Sequence, residues 1–250
     1  GLTEVVLLGQ TVNSYTDGTH DFADLLRAVG AVPGIRRVRF TSPYPADFTP
    51  RVIEAMAGTP NVCEHVHLPV QSGSNAVLRR MLRRYTRERY LEVVRELRES
   101  MPGITLSTDI IVGFPGETEA QFEETLSLVG EADFDDAYTF KYSVRDGTPA
   151  ARLGSHLPDE VAGARLERLI EVVRANARRK NVARVGQVHE VLVERPARRG
   201  GFMLGRTRGN HLVLLELAAE SVGEYHAVRL TGTTGSTFTG AVDAPSLAVL

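Results

Sequence analysis

Four polar clusters in the first 150 residues each follow a short apolar run, and their side chains suit a hydrogen-bonded ligand. Gln10 and Asn13 follow the run 5–8, and Gln71-Ser72-Gly73-Ser74 follows the run 65–70. Asp109 lies inside the run 106–112, which leads into Gly113-Phe114-Pro115-Gly116-Glu117-Thr118. Arg145 sits just beyond the run 137–142. Each cluster also has a plainer reading. Gln71 to Ser74 suits a turn and helix N-cap as well as a ligand loop. Gly113-x-x-Gly116 looks like a phosphate loop, but it lacks the Lys-Ser/Thr and the fourth spacer of a Walker A motif, which excludes nucleotide triphosphate binding. Its glycines also serve a tight turn. Asp109 is harder to set aside, because a carboxylate inside an apolar strand needs partners. His65 and His67 share one face of a strand. No cysteine or carboxylate stands near them at ligand spacing, which favours a core or pocket-wall role over a metal site.

Redox and metal chemistry is bounded by a single cysteine, Cys63, which excludes intrachain disulfides and any multi-cysteine metal site made by this chain alone. The net charge is −2, so any nucleic-acid binding must come from local patches. Two patches exist. Eight arginines (79, 80, 83, 84, 87, 89, 95, 98) face three glutamates between Arg79 and Arg98, and helical Arg–Glu spacing explains part of that run. Between Arg178 and Arg208, nine basic residues face Glu190 and Glu194. That second run leads into a small β-rich segment where Arg195, Arg198, Arg199, Arg206 and Arg208 would cluster, with Phe202 and Tyr225 as stacking faces. Small barrels with basic loops often bind RNA.

The elements that must position these groups follow from periodicity. The apolar runs 5–8, 37–41, 65–70, 106–112 and 137–142 alternate with helix-period segments, among them 22–29, 76–84 and a capped helix from Thr86 to about Ser100. Strand starts recur about every thirty residues, the length of a βα unit, so a parallel sheet or partial (β/α) barrel is expected. Ligands in such folds bind at the C-terminal ends of strands, where the four clusters fall. A long helix spans 158–184. Five short strands then follow at 187–194, 202–207, 211–217, 224–231 and 237–242, and they suit a closed OB-type barrel. No run of about 18 apolar residues suggests a membrane span. The chain opens at Gly1, without Met and in mid-strand, which reads as a piece of a longer protein.

The motifs LLGQTVNSY, CEHVHLPVQSGS, LRRMLRRYTRERY, STDIIVGFPGETE and FKYSVRDGTPAA, with VGQVHEVLVE and GRTRGN near the end, resemble the radical S-adenosylmethionine methylthiotransferases. The resemblance covers nearly all of the chain to about Val242. It implies an α/β fold: a partial (β/α) radical-SAM barrel over 1–157 that lacks its first βα unit, a connecting helix over 158–184, and an OB-like TRAM β-barrel binding RNA over 185–245. It implies that the whole protein carries S-adenosylmethionine and two 4Fe-4S clusters, one held by a Cys-x-x-x-Cys-x-x-Cys loop. It implies transfer of a methylthio group to carbon 2 of isopentenyl-adenosine in tRNA; related members act on threonylcarbamoyl-adenosine or a ribosomal protein. By resemblance Gln10, Asn13, Gln71, Ser72, Asp109, Gly113, Gly116 and Arg145 would lie at the cofactor, and Arg198, Arg199, Arg206, Arg208 and Asn210 would face a tRNA anticodon stem-loop. The chain departs from the family where the cluster cysteines should be, since Cys63 matches no ligand. The piece itself is therefore expected to bind no cluster and to be inactive. A cytoplasmic location and self-association through the open edge of the first strand are also expected.

Overall fold

The computed structural model describes residues 1–198 and 200–243. It forms two compact units, one of residues 1–176 and one beginning at Ala177.

In the first unit five parallel strands follow one another in chain order. They are β1 (Glu4–Leu7), β2 (Arg37–Phe40), β3 (His65–His67), β4 (Thr105–Val112) and β5 (Asp136–Lys141). β1 pairs with β2, β3 with β4 and β4 with β5. A single parallel bridge between Val38 and Val62 links the two sheets. The helices are α1 (Phe22–Gly30), α2 (Pro50–Gly58), α3 (Asn75–Arg80), α4 (Arg87–Ser100), α5 (Glu119–Ala132) and α6 (Asp159–Arg184). Strand residues alternate between faces. Val38, Val66, Leu106, Ile110 and Val112 join the helix-side core with Phe22, Leu97 and Phe122. The opposite face is polar: Glu4 reaches Arg37 and Arg39 at 3.7 and 3.3 Å, and His65, His67, Ser107 and Asp109 lie further along it.

Local chemistry sets the helix starts. Asp21 and Asp24 form a reciprocal capping box on α1, and Thr118 and Gln121 do the same on α5. Thr49 and Thr86 cap α2 and α4, with Pro50 at the first position of α2. The helix expected over 76–84 is shorter: α3 ends at Arg80. Leu82 has φ +58, its N–H bonds to Arg79 O, and Arg83 N–H bonds to Leu78 O at 2.9 Å. That is a Schellman stop with leucine where glycine is usual. Leu82 is 72% exposed.

The expected strand 65–70 is also shorter, because β3 ends at His67. Thr108 bonds both Leu68 O and Val70 N, so the chain peels from the ladder and returns at Gln71. Part of α6 packs on the first unit, where Leu169 and Val173 enter the core.

The second unit is a closed barrel of β6 (Val188–Pro196), β7 (Met203–Thr207), β8 (Leu212–Leu215), β9 (Tyr225–Thr233) and β10 (Thr237–Val242), in the order β10-β8-β7-β6-β9. β10 closes it by running parallel to β8 and antiparallel to β9. Val191, Val193, Met203, Val213, Leu215, Val228, Leu230 and Phe238 fill it. Closure leaves no open edge.

Candidate functional site

At the C-terminal ends of β4 and β5 lies a cavity of about 570 Å³. Gln71, Asp109 and Arg145 line it, three of the residues expected from the sequence. Gln71 has φ +69, and its backbone is hooked onto β4: Gln71 N–H donates to Asp109 O and Ile111 N–H to Gln71 O, each at 2.9 Å. The preceding loop is pinned by buried phenols, with Tyr90 Oη donating to Leu68 O at 2.7 Å and Tyr85 Oη to Pro69 O and Val70 O at 3.1 Å. Tertiary contacts therefore fix the loop.

Asp109 has the partner its position demands. His67 Nε2 lies 3.3 Å from Asp109 Oδ1, and His67 Nδ1 lies 3.0 Å from Ser107 Oγ. Ser107 Oγ is 3.4 Å from His65 Nε2, so the two histidines flank one serine on the sheet's polar face. Among the described residues no group of three or more His, Cys, Asp or Glu could hold a metal ion.

The glycine loop is closed by its own chain. Glu117 Oε2 accepts from Gly113 N–H at 2.8 Å and from Arg165 Nη1 at 2.9 Å. Burial pushes the Glu117 carboxyl up, against the pull of the Gly113 N–H and the Arg165 charge. Gly113 has φ +74, and a Cβ there would meet Ala162 Cβ at 2.7 Å, so its missing side chain lets α6 approach. Gly116, at φ +73, donates its N–H to Ser155 O at 2.8 Å. Between them Phe114 lines the cavity, edge-on to Tyr142 at 5.1 Å.

The remaining expected residues have other work. Asn13 is buried; its Nδ2 donates to Tyr44 O at 2.9 Å and its Oδ1 accepts from Tyr44 N–H at 2.7 Å. Its amide holds the loop after β2. Gln10 is exposed and not among the cavity's lining residues. The Ser72 hydroxyl is fully buried between Thr125 Oγ1 and Ser74 N–H, at 3.3 and 3.2 Å. In the barrel, Arg198 is exposed and Arg208 half-buried. Arg206 pairs with Glu194 at 2.6 Å and with Asn210 Oδ1 at 3.1 Å. Arg199 lies outside the described residues. Arg80 and Arg83, which nothing in the sequence sets apart from the other arginines of the run 79–98, also line the cavity.

The Radical SAM superfamily matches residues 1–129, half of the chain, and the TRAM domain matches residues 182–242. The chain belongs to the radical SAM superfamily. It is 50% identical over 92% of its length to a Moorella thermoacetica protein named tRNA-2-methylthio-N(6)-dimethylallyladenosine synthase, covering 53% of that protein. It is 51% identical over 94% of its length to a Thermus thermophilus protein of the same name, covering 51% of it. The chain thus spans about half the length of the curated relatives it matches. A solved Escherichia coli coproporphyrinogen III oxidase (HemN), described as a radical SAM enzyme, aligns over 91% of this chain and 66% of its own. That alignment has 13% identity and a TM-score of 0.44.

Radical SAM membership implies S-adenosylmethionine and iron–sulfur chemistry. The cavity fits the first: it has the size of a small-molecule site, aromatic walls and convergent polar groups. The Arg80 Nε, Arg83 Nε and Tyr142 Oη atoms are buried there without a hydrogen-bond partner. The chain does not fit an iron–sulfur cluster, which needs several thiolates, because its one thiol, Cys63, is buried in the core. Among the described residues no helix is long and apolar enough to cross a membrane.

Proposed function

We propose that this chain is the ligand-holding part of a tRNA methylthiotransferase, which as a whole adds a methylthio group to carbon 2 of N6-isopentenyladenosine next to the anticodon. The observation that carries this reading is half identity, across more than nine-tenths of the chain, to relatives named for that synthase.

The cavity's residues suit a nucleoside bearing charged groups. Phe114 and Tyr142 offer apolar faces to a purine. Asp109, steadied by His67, accepts from ribose hydroxyls or an ammonium group, and Arg145 faces a carboxylate. Gln71, fixed by its two backbone bonds to β4, presents its amide into the same space. Bound there, S-adenosylmethionine would supply the radical that abstracts hydrogen from the substrate base. Two 4Fe-4S clusters belong to the whole protein in this reading, and the 250-residue chain alone is inactive. The β6–β10 barrel, through Arg198, Arg208 and the Arg206–Asn210 pair, contacts the tRNA anticodon stem-loop. The protein works in the cytoplasm, where its substrate is. The edge of β1, with Val6 exposed beside it, pairs with a second copy of this chain.

The test is nucleoside mass spectrometry of tRNA from cells whose own synthase is replaced by this chain joined behind the N-terminal half of the Thermus thermophilus relative. The reading predicts 2-methylthio-N6-isopentenyladenosine. A methylthio group on threonylcarbamoyl-adenosine instead, or on ribosomal-protein peptides analysed in parallel, would reassign the substrate. No methylthio product from a fusion that carries clusters and binds tRNA would favour a non-catalytic RNA-binding protein.

A further inference from the structure

The basic run 79–98 splits in two in the structure. On α4, Arg87 pairs with Glu131, Arg89 with Glu92 and Glu96, and Arg95 with Glu99, while Arg98 bonds the carbonyls of Ala132 and Asp133. Those four arginines are neutralised or tied down by the fold. The other four, Arg79, Arg80, Arg83 and Arg84, stand around the Schellman turn that ends α3, and among the described residues none has a carboxylate partner. Arg80 reaches only Gln121 Oε1 at 2.9 Å, with the already paired Glu117 nearby, and Arg84 lies 5.3 Å over the Tyr44 ring.

Two of the four point inward. Arg80 and Arg83 line the cavity, and their buried Nε atoms lack partners. Arg79 and Arg84 are exposed outside it. Leu82, held at φ +58 and exposed, shapes the turn between them at the cavity's edge. Non-glycine residues held at positive φ cluster at functional sites. Half-buried guanidinium groups with buried, unpartnered Nε atoms and no ion pair of their own suit an anion, and the planar fork favours phosphate or carboxylate oxygens. Four arginines at one rim exceed the single carboxylate of a cofactor, whereas a nucleic-acid strand brings a phosphate with every nucleotide.

We propose that the turn Arg79–Arg84 is a phosphodiester clamp: it grips the RNA backbone beside the nucleotide presented at the mouth of the cavity, independently of the C-terminal barrel. The proposal rests on the RNA substrate of the preceding section and adds a second RNA-holding surface, on the radical SAM unit itself.

The experiment measures affinity of the 250-residue chain for a synthetic RNA stem-loop across salt concentrations. Arg79→Gln/Arg84→Gln changes two exposed side chains and leaves the core untouched. Its log–log salt slope is expected to be shallower by about 1.4, at about 0.7 per lost single-strand phosphate contact. Arg83→Gln should flatten it further, and Arg95→Gln, which removes an arginine already paired with Glu99, should leave it unchanged. RNA binding with unchanged slopes in both turn variants overturns the clamp and leaves the methylthiotransferase reading standing. Equal flattening in Arg95→Gln also overturns it, since that marks a general charge effect. Unchanged RNA slopes with weakened S-adenosylmethionine binding in Arg83→Gln would assign these arginines to the cofactor carboxylate instead. No RNA binding at all overturns the clamp and removes RNA from the proposed function as well.

Discussion

The amide of Asn13 satisfies both backbone polar groups of Tyr44, from 31 residues away in the chain. Asn13→Ala loses two half-buried hydrogen bonds and leaves the Tyr44 N–H without a partner, while Tyr44 O keeps the Asp47 N–H, at a cost of about 1–2 kcal/mol. Thermal unfolding should register that loss, and an unchanged midpoint would mean water replaces the clamp. Glu117 gives a pH signature. Its folded pKa is raised by burial above the ordinary 4.5, so its contribution to stability is fully present below that value and is lost as pH rises through the raised one. Glu117→Gln keeps acceptor capacity but does not titrate. As pH rises from the ordinary carboxylate range through the raised value, the wild-type chain should therefore lose stability relative to Glu117→Gln in urea unfolding. Parallel losses would contradict the assignment. Leu82 holds strain, since the left-handed region costs an L side chain about 1–2 kcal/mol. Leu82→Asn should raise the unfolding midpoint.

The elements position these residues through close approaches of backbone. Gly73 packs directly on α5: a Cβ there would lie 2.5 Å from Glu124 O and from Thr125 Cα. Gly73→Ala must push α5 from the loop that carries Gln71, at a cost of about 1–3 kcal/mol, with cavity-ligand affinity falling alongside stability. Stability lost without affinity would uncouple the loop from the site. At this scale much was legible in the sequence. β-branched runs bounded by Gly, Pro and Ser marked all ten strands to within a few residues, because alternating burial imposes a period of two. Capping pairs such as Thr118–Gln121 fixed helix starts, because their bonds span three residues. What stayed hidden depends on distant partners. The end of α3 at Arg80 rests on a leucine in a glycine's conformation, which no local preference signals. The diversion of Asn13 and Ser72 away from the cavity rests on Tyr44 and Thr125, 31 and 53 residues away. Asp109 stands out locally because a carboxylate in an apolar run is anomalous, whereas Gln71 is singled out by the family resemblance, since its cluster suits a plain turn as well. Arg80 and Arg83 were missed because a run of arginines looks the same solvated or inward-facing.

Across the whole molecule, the chain pairs a radical SAM unit bearing a cavity with a TRAM barrel, and holds one buried cysteine. Anaerobic reconstitution with iron and sulfide should therefore give no stoichiometric absorbance near ~400 nm; a full 4Fe-4S signal would show thiolates recruited from several copies. The central claim is that the nucleotide beside the anticodon is presented at the mouth of the S-adenosylmethionine cavity, beside the arginine turn. Photocrosslinking tests it most directly. An anticodon stem-loop RNA carrying a photoreactive base at that nucleotide is bound to the chain and irradiated, and the adducts are mapped by mass spectrometry. The account predicts adducts on the peptides that hold Arg80–Arg83, Phe114 and Phe140–Arg145. Adducts confined to residues 188–242, from an RNA that is demonstrably bound, would contradict it.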